Sequence, residues 1–105
     1  MTPALKAALL AVVLATLSQA SFAAGDIKAG RAKAGQCAAC HGLDGMSKLP
    51  EAPNLAGQTE EYLVKALNDF RSGARKNEMM TLMAKSLSDA DVANLATYYH
   101  SLGKP

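Results

Sequence analysis

The five residues Cys37-Ala38-Ala39-Cys40-His41 form a C-x-x-C-H pattern, which contains both cysteines of the chain. Two thiols three residues apart at the end of a helix project toward the same side of the chain. Both can therefore form thioether bonds to neighbouring vinyl groups of one porphyrin, and this pattern is the attachment signature of c-type haem. His41 would then lie beneath the iron as its proximal nitrogen ligand.

A zinc site and a redox dithiol are the alternative interpretations of this pattern. Zinc needs two further protein ligands, and the chain has only His100 and no third cysteine to supply them. A thioredoxin-like dithiol needs a strand and helix scaffold, which this sequence lacks. The residues therefore favour haem attachment.

The first 23 residues have the three parts of a secretory signal peptide. Lys6 and the amino terminus supply positive charge, residues 7–17 are an almost unbroken apolar run, and small residues lead up to Ala23. A membrane-spanning helix needs about 20 apolar residues, and Gln19 interrupts this run too early. We therefore expect cleavage of residues 1–23, export to the periplasm and no stable membrane insertion of the mature chain.

The mature domain, residues 24–105, has 82 residues and a nearly balanced charge. Without Lys6, the eleven Lys and Arg of the chain become ten against nine Asp and Glu, so the formal charge is +1. The whole chain has only five aromatic residues, and its charges are scattered, which argues against a nucleic-acid binder with a dense basic stripe. A domain this small buries only about 60–70% of its unfolded surface, so a cofactor is expected to complete its core.

The first two helices have clear start signals. Asp26 is a favourable N-cap residue for a helix that runs toward Cys37, and Gly30 within it would let another helix or a flat ligand approach the backbone closely. Thr59 caps the second helix, which Gly73 ends. The expected apolar face of this second helix consists of Tyr62, Leu63, Ala66, Leu67 and Phe70.

Residues 42–57 separate these two helices and are rich in glycine, proline and asparagine. A structureless stretch of about 12–15 residues is uncommon in a compact domain unless it serves a function. The length and composition of this segment therefore predict a loop that covers a bound ligand.

A capping-box pattern begins the last helix at Ser88, and Gly103 ends it. The residues expected to be buried on this helix are Val92, Leu95, Ala96, Tyr99 and Leu102. No segment alternates with a period of two residues. The predicted fold is all-α, with three principal helices and a short fourth helix near the methionines.

Three methionines lie close together in the short apolar segment before the last helix. A six-coordinate electron-transfer haem needs a second axial ligand, and methionine opposite histidine raises the reduction potential. Met79, Met80 and Met83 are the candidates, and Met46 is a weaker one because it lies so near His41 in the chain. The alternative is that these flexible side chains only fill the core.

Four stretches together resemble a known family: CAACHG at 37–42, APNLAGQ at 52–58, YLVKALNDFRSGAR at 62–75 and MMTLMAKSLSDADVANLATYYHSL at 79–102. Over essentially all of residues 25–102 the chain is similar to a small monohaem class I cytochrome c, close to one domain of the bacterial dihaem cytochromes. The resemblance implies the class I cytochrome c fold, wrapped around one covalently bound haem c.

Carried onto this sequence, the resemblance implies thioether bonds at Cys37 and Cys40 and proximal ligation by His41. It places the distal methionine seven residues before the Leu-Ser-Asp element, which is Met80. Met83 is the reserve, since an error of one helical turn in placing the distal segment would substitute it.

The resemblance also assigns roles to residues near the ligands. It implies that the carbonyl of Pro53 accepts a hydrogen bond from Nδ1 of His41, whereas composition alone allows that this proline merely shapes the loop. It places Leu95 and Tyr98 or Tyr99 across the first helix near Gly30.

A cluster of three cations, Arg71, Arg75 and Lys76, precedes the methionines. These side chains either pair with a haem propionate, face a redox partner or form a solvated surface, which is the more usual case for exposed charges.

The function that these features predict is the transfer of single electrons between protein redox partners, such as a dehydrogenase, a reductase or a terminal oxidase. The chain has no evident acid-base pair or nucleophile, so we do not expect an enzyme. The alternatives are a haem protein that binds or senses a small ligand, and a haem subunit of a larger oxidoreductase complex.

Overall fold

The computed structural model describes residues 25–103, which form five helices and contain no strand. The helices are α1 (Ile27–Lys33), α2 (Ala38–His41), α3 (Glu60–Ser72), α4 (Glu78–Lys85) and α5 (Asp89–Ser101). The all-α prediction is confirmed, with α1, α3 and α5 as the principal helices and α4 as the short one near the methionines. The predicted signal peptide, residues 1–23, lies outside the described residues.

Side-chain caps begin the principal helices at the predicted positions. Asp26 caps α1, and Thr59 Oγ1 accepts a hydrogen bond from the third N–H of α3 at 3.2 Å. Ser88 and Asp91 form a complete capping box at the start of α5. Gly73 ends α3 with a φ of 87°, a left-handed conformation that favours glycine.

The first helix is less continuous than predicted. It ends at Lys33, continues as a 3₁₀ turn over Ala34–Gln36, and resumes as the four-residue α2. Gly35 lies at this break, and glycine disfavours the helical conformation by about 1 kcal/mol relative to alanine. The break gives the Cys37–His41 segment a short helix of its own.

Helices α1 and α5 cross in direct backbone contact at Gly30. A Cβ atom on Gly30 would lie 2.0 Å from the carbonyl oxygen of Asn94 and 2.7 Å from Cβ of Tyr98. Of the two tyrosines considered from the sequence, Tyr98 is therefore the one that packs at this crossing. An ion pair between Lys33 and Asp91, 3.3 Å apart, spans the same two helices.

The core lies where α1, α3 and α5 meet. Its buried members are Ala34, Leu63, Leu87, Val92, Leu95, Ala96, Tyr98 and Tyr99. The prediction that Leu102 is buried is wrong, because this residue is 36% exposed at the C-cap of α5. It lies beyond the stretch of α5, around Asn94 and Tyr98, that α1 covers.

Within residues 25–103, no helix combines the length and the apolar character that crossing a membrane requires.

The crossing at Gly30 predicts that Gly30→Ala destabilises the protein. The new methyl group would meet backbone atoms that cannot rotate away, so we expect the free energy of unfolding to fall by about 1–3 kcal/mol, as for other overpacked sites. Gly35→Ala is the matched control, because a Cβ there meets nothing within 4 Å and should change stability by less than about 1 kcal/mol. Guanidinium unfolding of the haem-loaded protein, followed by far-ultraviolet circular dichroism, measures both. Equal stability of the two variants would contradict a tight crossing.

Candidate functional site

A cavity of about 620 Å³ lies between α2, the loop of residues 42–57, α3, α4 and α5. This volume is within the range of about 300–1,000 Å³ that cofactor and ligand sites occupy in proteins. Most of the residues that line the cavity are apolar; among them are Leu55, Leu63, Ala66, Leu67, Phe70, Ala84, Leu87, Leu95 and Ala96. A large, flat and mostly apolar group suits such walls.

Helix α2 brings the three residues of the C-x-x-C-H pattern to the cavity together. Cys37 is the N-cap of α2, and its carbonyl oxygen accepts a hydrogen bond from the N–H of His41 at 3.0 Å. This single helical turn places Cys37, Cys40 and His41 in the same lining, with the imidazole of His41 buried. The arrangement is the one expected from the spacing of the pattern.

The ring of His41 is oriented by the loop. Its Nδ1 lies 2.8 Å from the carbonyl oxygen of Pro53. A carbonyl can only accept, so Nδ1 carries a proton, and in the neutral imidazole with this tautomer Nε2 has the lone pair that can bind a metal. The contact that the resemblance implied between Pro53 and His41 is present in the structure, and it fixes both the tautomer and the direction of the ring.

The loop that holds Pro53 is itself hydrogen-bonded to the end of α2. The N–H of Lys48 donates to the carbonyl of Cys40 at 2.8 Å, and the N–H of Leu55 donates to the carbonyl of Gly45 at 2.8 Å. Gly45 has a φ of 75°, and a Cβ there would lie 2.6 Å from the backbone nitrogen of Ala56. The loop is therefore folded tightly on itself, which keeps the carbonyl of Pro53 in place.

Helix α4 brings three methionines to the cavity. Met80 and Met83 are half-buried, whereas Met79 is 57% exposed at the edge. Met46, the weaker candidate, is not among the lining residues. Two thioether sulfurs, those of Met80 and Met83, are thus the candidates with substantial burial.

Burial makes two polar groups of the lining harder to ionise. Burial raises the pKa of the Cys37 thiol, although a hydrogen bond with Tyr99 acts in the opposite direction. Burial also raises the pKa of the Tyr99 phenol well above its usual value. The cavity beside α5 therefore carries no anionic side chain from these two residues at neutral pH.

The donor set fits haem c better than zinc. Two thiols on one helical turn can form thioether bonds, His41 offers a free Nε2, and α4 offers thioether sulfurs. Among residues 25–103, no group of three or more His, Cys, Asp or Glu side chains comes together as a metal cluster would require. His100 is exposed, and its Nδ1 lies 2.7 Å from the carbonyl oxygen of Gln58 and not at the cavity.

The three clustered cations have different environments. Arg71 is a structural residue: it donates to the carbonyl of Leu87 at 3.0 Å and pairs with Asp89 at 2.6 Å, which ties α3 to the start of α5. Arg75 and Lys76 instead line the cavity edge. The guanidinium of Arg75 stacks over the ring of Phe70, 4.6 Å from its centroid.

One residue of the site was missed in the sequence analysis. Asn77 lines the cavity and caps α4, since its side chain accepts a hydrogen bond from the N–H of Met80 at 2.9 Å. An asparagine three residues before the candidate ligand is a recognisable N-cap signal.

The comparisons with known proteins identify the family of this chain. The family model for cytochrome c matches residues 27–103. Cytochrome c4 of Pseudomonas aeruginosa is 48% identical over 85 residues, which are 81% of this chain and 42% of that protein. Cytochrome c-554(548) of Halomonas halodenitrificans is 48% identical over 81 residues, which are 74% of this chain and 98% of that protein.

A solved structure has the same fold. The crystal structure of reduced recombinant cytochrome c4 from Pseudomonas stutzeri matches with a TM-score of 0.69 and 45% sequence identity, over 74% of this chain and 46% of that chain. The chain thus spans less than half the length of these cytochrome c4 relatives but almost all of cytochrome c-554(548).

The different environments of the two arginines predict different effects on stability. Arg71→Met leaves the carbonyl of Leu87 without its donor and should lower the free energy of unfolding by about 1–3 kcal/mol. Arg75→Met, the matched control, removes an exposed side chain that makes a cation–π contact with Phe70 and a 3.5 Å hydrogen bond to the Tyr62 hydroxyl, and it should cost about 1 kcal/mol or less. Guanidinium unfolding measures both. A larger loss of stability in Arg75→Met than in Arg71→Met would contradict this assignment, because Arg75 would then be the structural residue.

Proposed function

Because the chain belongs to the cytochrome c family, we propose that it is a periplasmic electron carrier in which His41 and Met80 ligate the haem iron. The family binds haem c covalently, and the single C-x-x-C-H pattern gives this chain one such group. When bound, the haem iron supplies reversible one-electron chemistry. The observation that carries the proposal is the presence of Cys37, Cys40, His41 and Met80 in the lining of one cavity.

In this proposal the proximal side is built by α2 and the loop. Cys37 and Cys40 would form the two thioether bonds to the haem, and Nε2 of His41 would bind its iron. The carbonyl of Pro53, 2.8 Å from Nδ1, holds the proton on that nitrogen and makes the imidazole a more basic ligand. Since the imidazole is buried, water has little access to this ligand.

On the distal side we assign Met80 and not its neighbours. Met79 is mostly exposed, and Met83 lies one turn further along α4, next to the fully buried Ala84. Met80 combines partial burial with a backbone fixed by the N-cap of α4. A histidine and methionine pair favours the reduced iron and so raises the reduction potential.

The same ligand set supports a carrier and not an enzyme. A haem iron held by both His41 and Met80 would offer no open coordination position to a substrate. Three exposed apolar residues at the cavity edge, Leu49, Tyr62 and Met79, provide a surface where a protein redox partner can approach the cofactor. Electron donors and acceptors are thus expected to be proteins that dock at this edge.

The proposed compartment is the periplasm. Residues 1–23 have the composition of a signal peptide, and covalent haem attachment in such bacterial proteins is completed outside the cytoplasm. We propose that this segment directs export and that haem attachment at Cys37 and Cys40 follows outside the cytoplasm.

The absorption spectrum tests the distal assignment. The oxidised, haem-loaded protein should show the weak far-red charge-transfer band of a methionine–iron bond. Met80→Ala should abolish this band, because it removes the thioether. Met83→Ala, the matched control from the same helix, should retain it.

Two results would contradict the proposal in different ways. Retention of the band in Met80→Ala together with its loss in Met83→Ala would move the distal ligand to Met83. A high-spin spectrum of the unsubstituted protein, with rapid carbon monoxide binding by its reduced form, would instead indicate a haem protein that binds small ligands.

A further inference from the structure

We infer that Asn77 is a positioning residue for the distal ligand: its side chain fixes the first turn of α4 and thereby holds Met80 at the cavity. The inference rests on the proposed role of Met80 as the distal ligand. Asn77 itself does not need to touch the iron, since it acts through the backbone of Met80.

Three hydrogen bonds join Asn77 to the first turn of α4. Its side-chain oxygen accepts from the N–H of Met80 at 2.9 Å. Its own N–H donates to the hydroxyl oxygen of Thr81 at 3.2 Å, and its carbonyl accepts from the N–H of Thr81 at 2.8 Å. The side chain of Asn77 therefore holds the backbone of Met80 directly. The two hydrogen bonds between Asn77 and Thr81 hold the residue that follows Met80.

The first turn of α4 has little else to hold it. Asn77, Glu78 and Met79 are all exposed, whereas Ala84 in the last turn of the helix and Leu87, two residues beyond its end, are buried. With eight residues, α4 is shorter than the roughly 12–15 residues that an isolated helix needs to be even marginally stable in water. The exposed end therefore depends on its cap.

Because the two ends of α4 are supported differently, loss of the cap should affect Met80 and Met83 differently. Met80 is the third residue of α4, within the turn that the cap holds, and Met83 lies in the second turn beside the buried Ala84. Loss of the cap should release Met80 while Met83 stays in place. The expected consequence is weaker retention of the distal ligand, without general loss of the fold.

Displacement of the distal ligand by imidazole measures this effect. Imidazole binds ferric haem only where the methionine has left, so its apparent affinity reports the open population. In the haem-loaded Asn77→Ala variant we expect this affinity to rise by about 2- to 30-fold, which is the change that loss of an N-cap produces in a folding equilibrium. The far-red band should weaken in the same variant.

Two further variants distinguish positioning from general stability. Asn77→Asp keeps a capping oxygen and should restore the wild-type affinity for imidazole. Ser88→Ala removes the equivalent cap of α5, whose bonded N–H belongs to Asp91, outside the cavity. This control should lower the midpoint of guanidinium unfolding and leave imidazole affinity unchanged.

The inference is overturned if Asn77→Ala binds imidazole with wild-type affinity, or if Ser88→Ala raises that affinity as much as Asn77→Ala does. Failure of the proposed function looks different. If Met80→Ala keeps the far-red band, then Met80 is not the distal ligand and the positioning role falls with it. If Met80→Ala loses the band while Asn77→Ala keeps wild-type affinity, then only the positioning role is wrong.

Discussion

The walls of one apolar cavity determine how the elements of this small domain are arranged. Helix α2 supplies the thiols and the imidazole, the loop supplies the carbonyl of Pro53, α3 and α5 supply apolar side chains, and α4 supplies the methionines. A domain of about 80 residues, such as the described residues 25–103, can bury only about 60–70% of its unfolded surface by itself, so a covalently held cofactor is a substantial part of its core.

The packing of α1 against α5 does not involve the cavity. The crossing of α1 and α5 is made by backbone at Gly30 and by the side chain of Tyr98, and the ion pair between Lys33 and Asp91 lies along the same pair of helices. Helix α4 has no comparable support, because it packs mainly against α3 and its first turn is exposed. The domain therefore combines a firmly packed pair of helices with a distal segment that depends on local hydrogen bonds.

The sequence predicted the features that depend on local chemistry. The C-x-x-C-H pattern, the caps at Asp26 and Ser88, and the all-α class each follow from residue type and spacing. Tertiary contacts could not be predicted from residue type and spacing. Whether Tyr98 or Tyr99 packs at Gly30 depends on the rotation of α5 about its axis. The structural role of Arg71 depends on the carbonyl of Leu87, which is sixteen residues away in the chain. The exposure of Leu102 likewise depends on where the neighbouring helix ends and not on its own spacing.

The dependence of the fold on the cofactor is the claim that one measurement tests most directly. Far-ultraviolet circular dichroism should be recorded during guanidinium unfolding of the mature chain, prepared once with haem attached at Cys37 and Cys40 and once without haem. We expect a helical spectrum and a cooperative transition for the haem-loaded chain, and loss of most helical signal and of the transition for the haem-free chain. A haem-free chain with the same helical content and a cooperative transition at the same midpoint would contradict this claim.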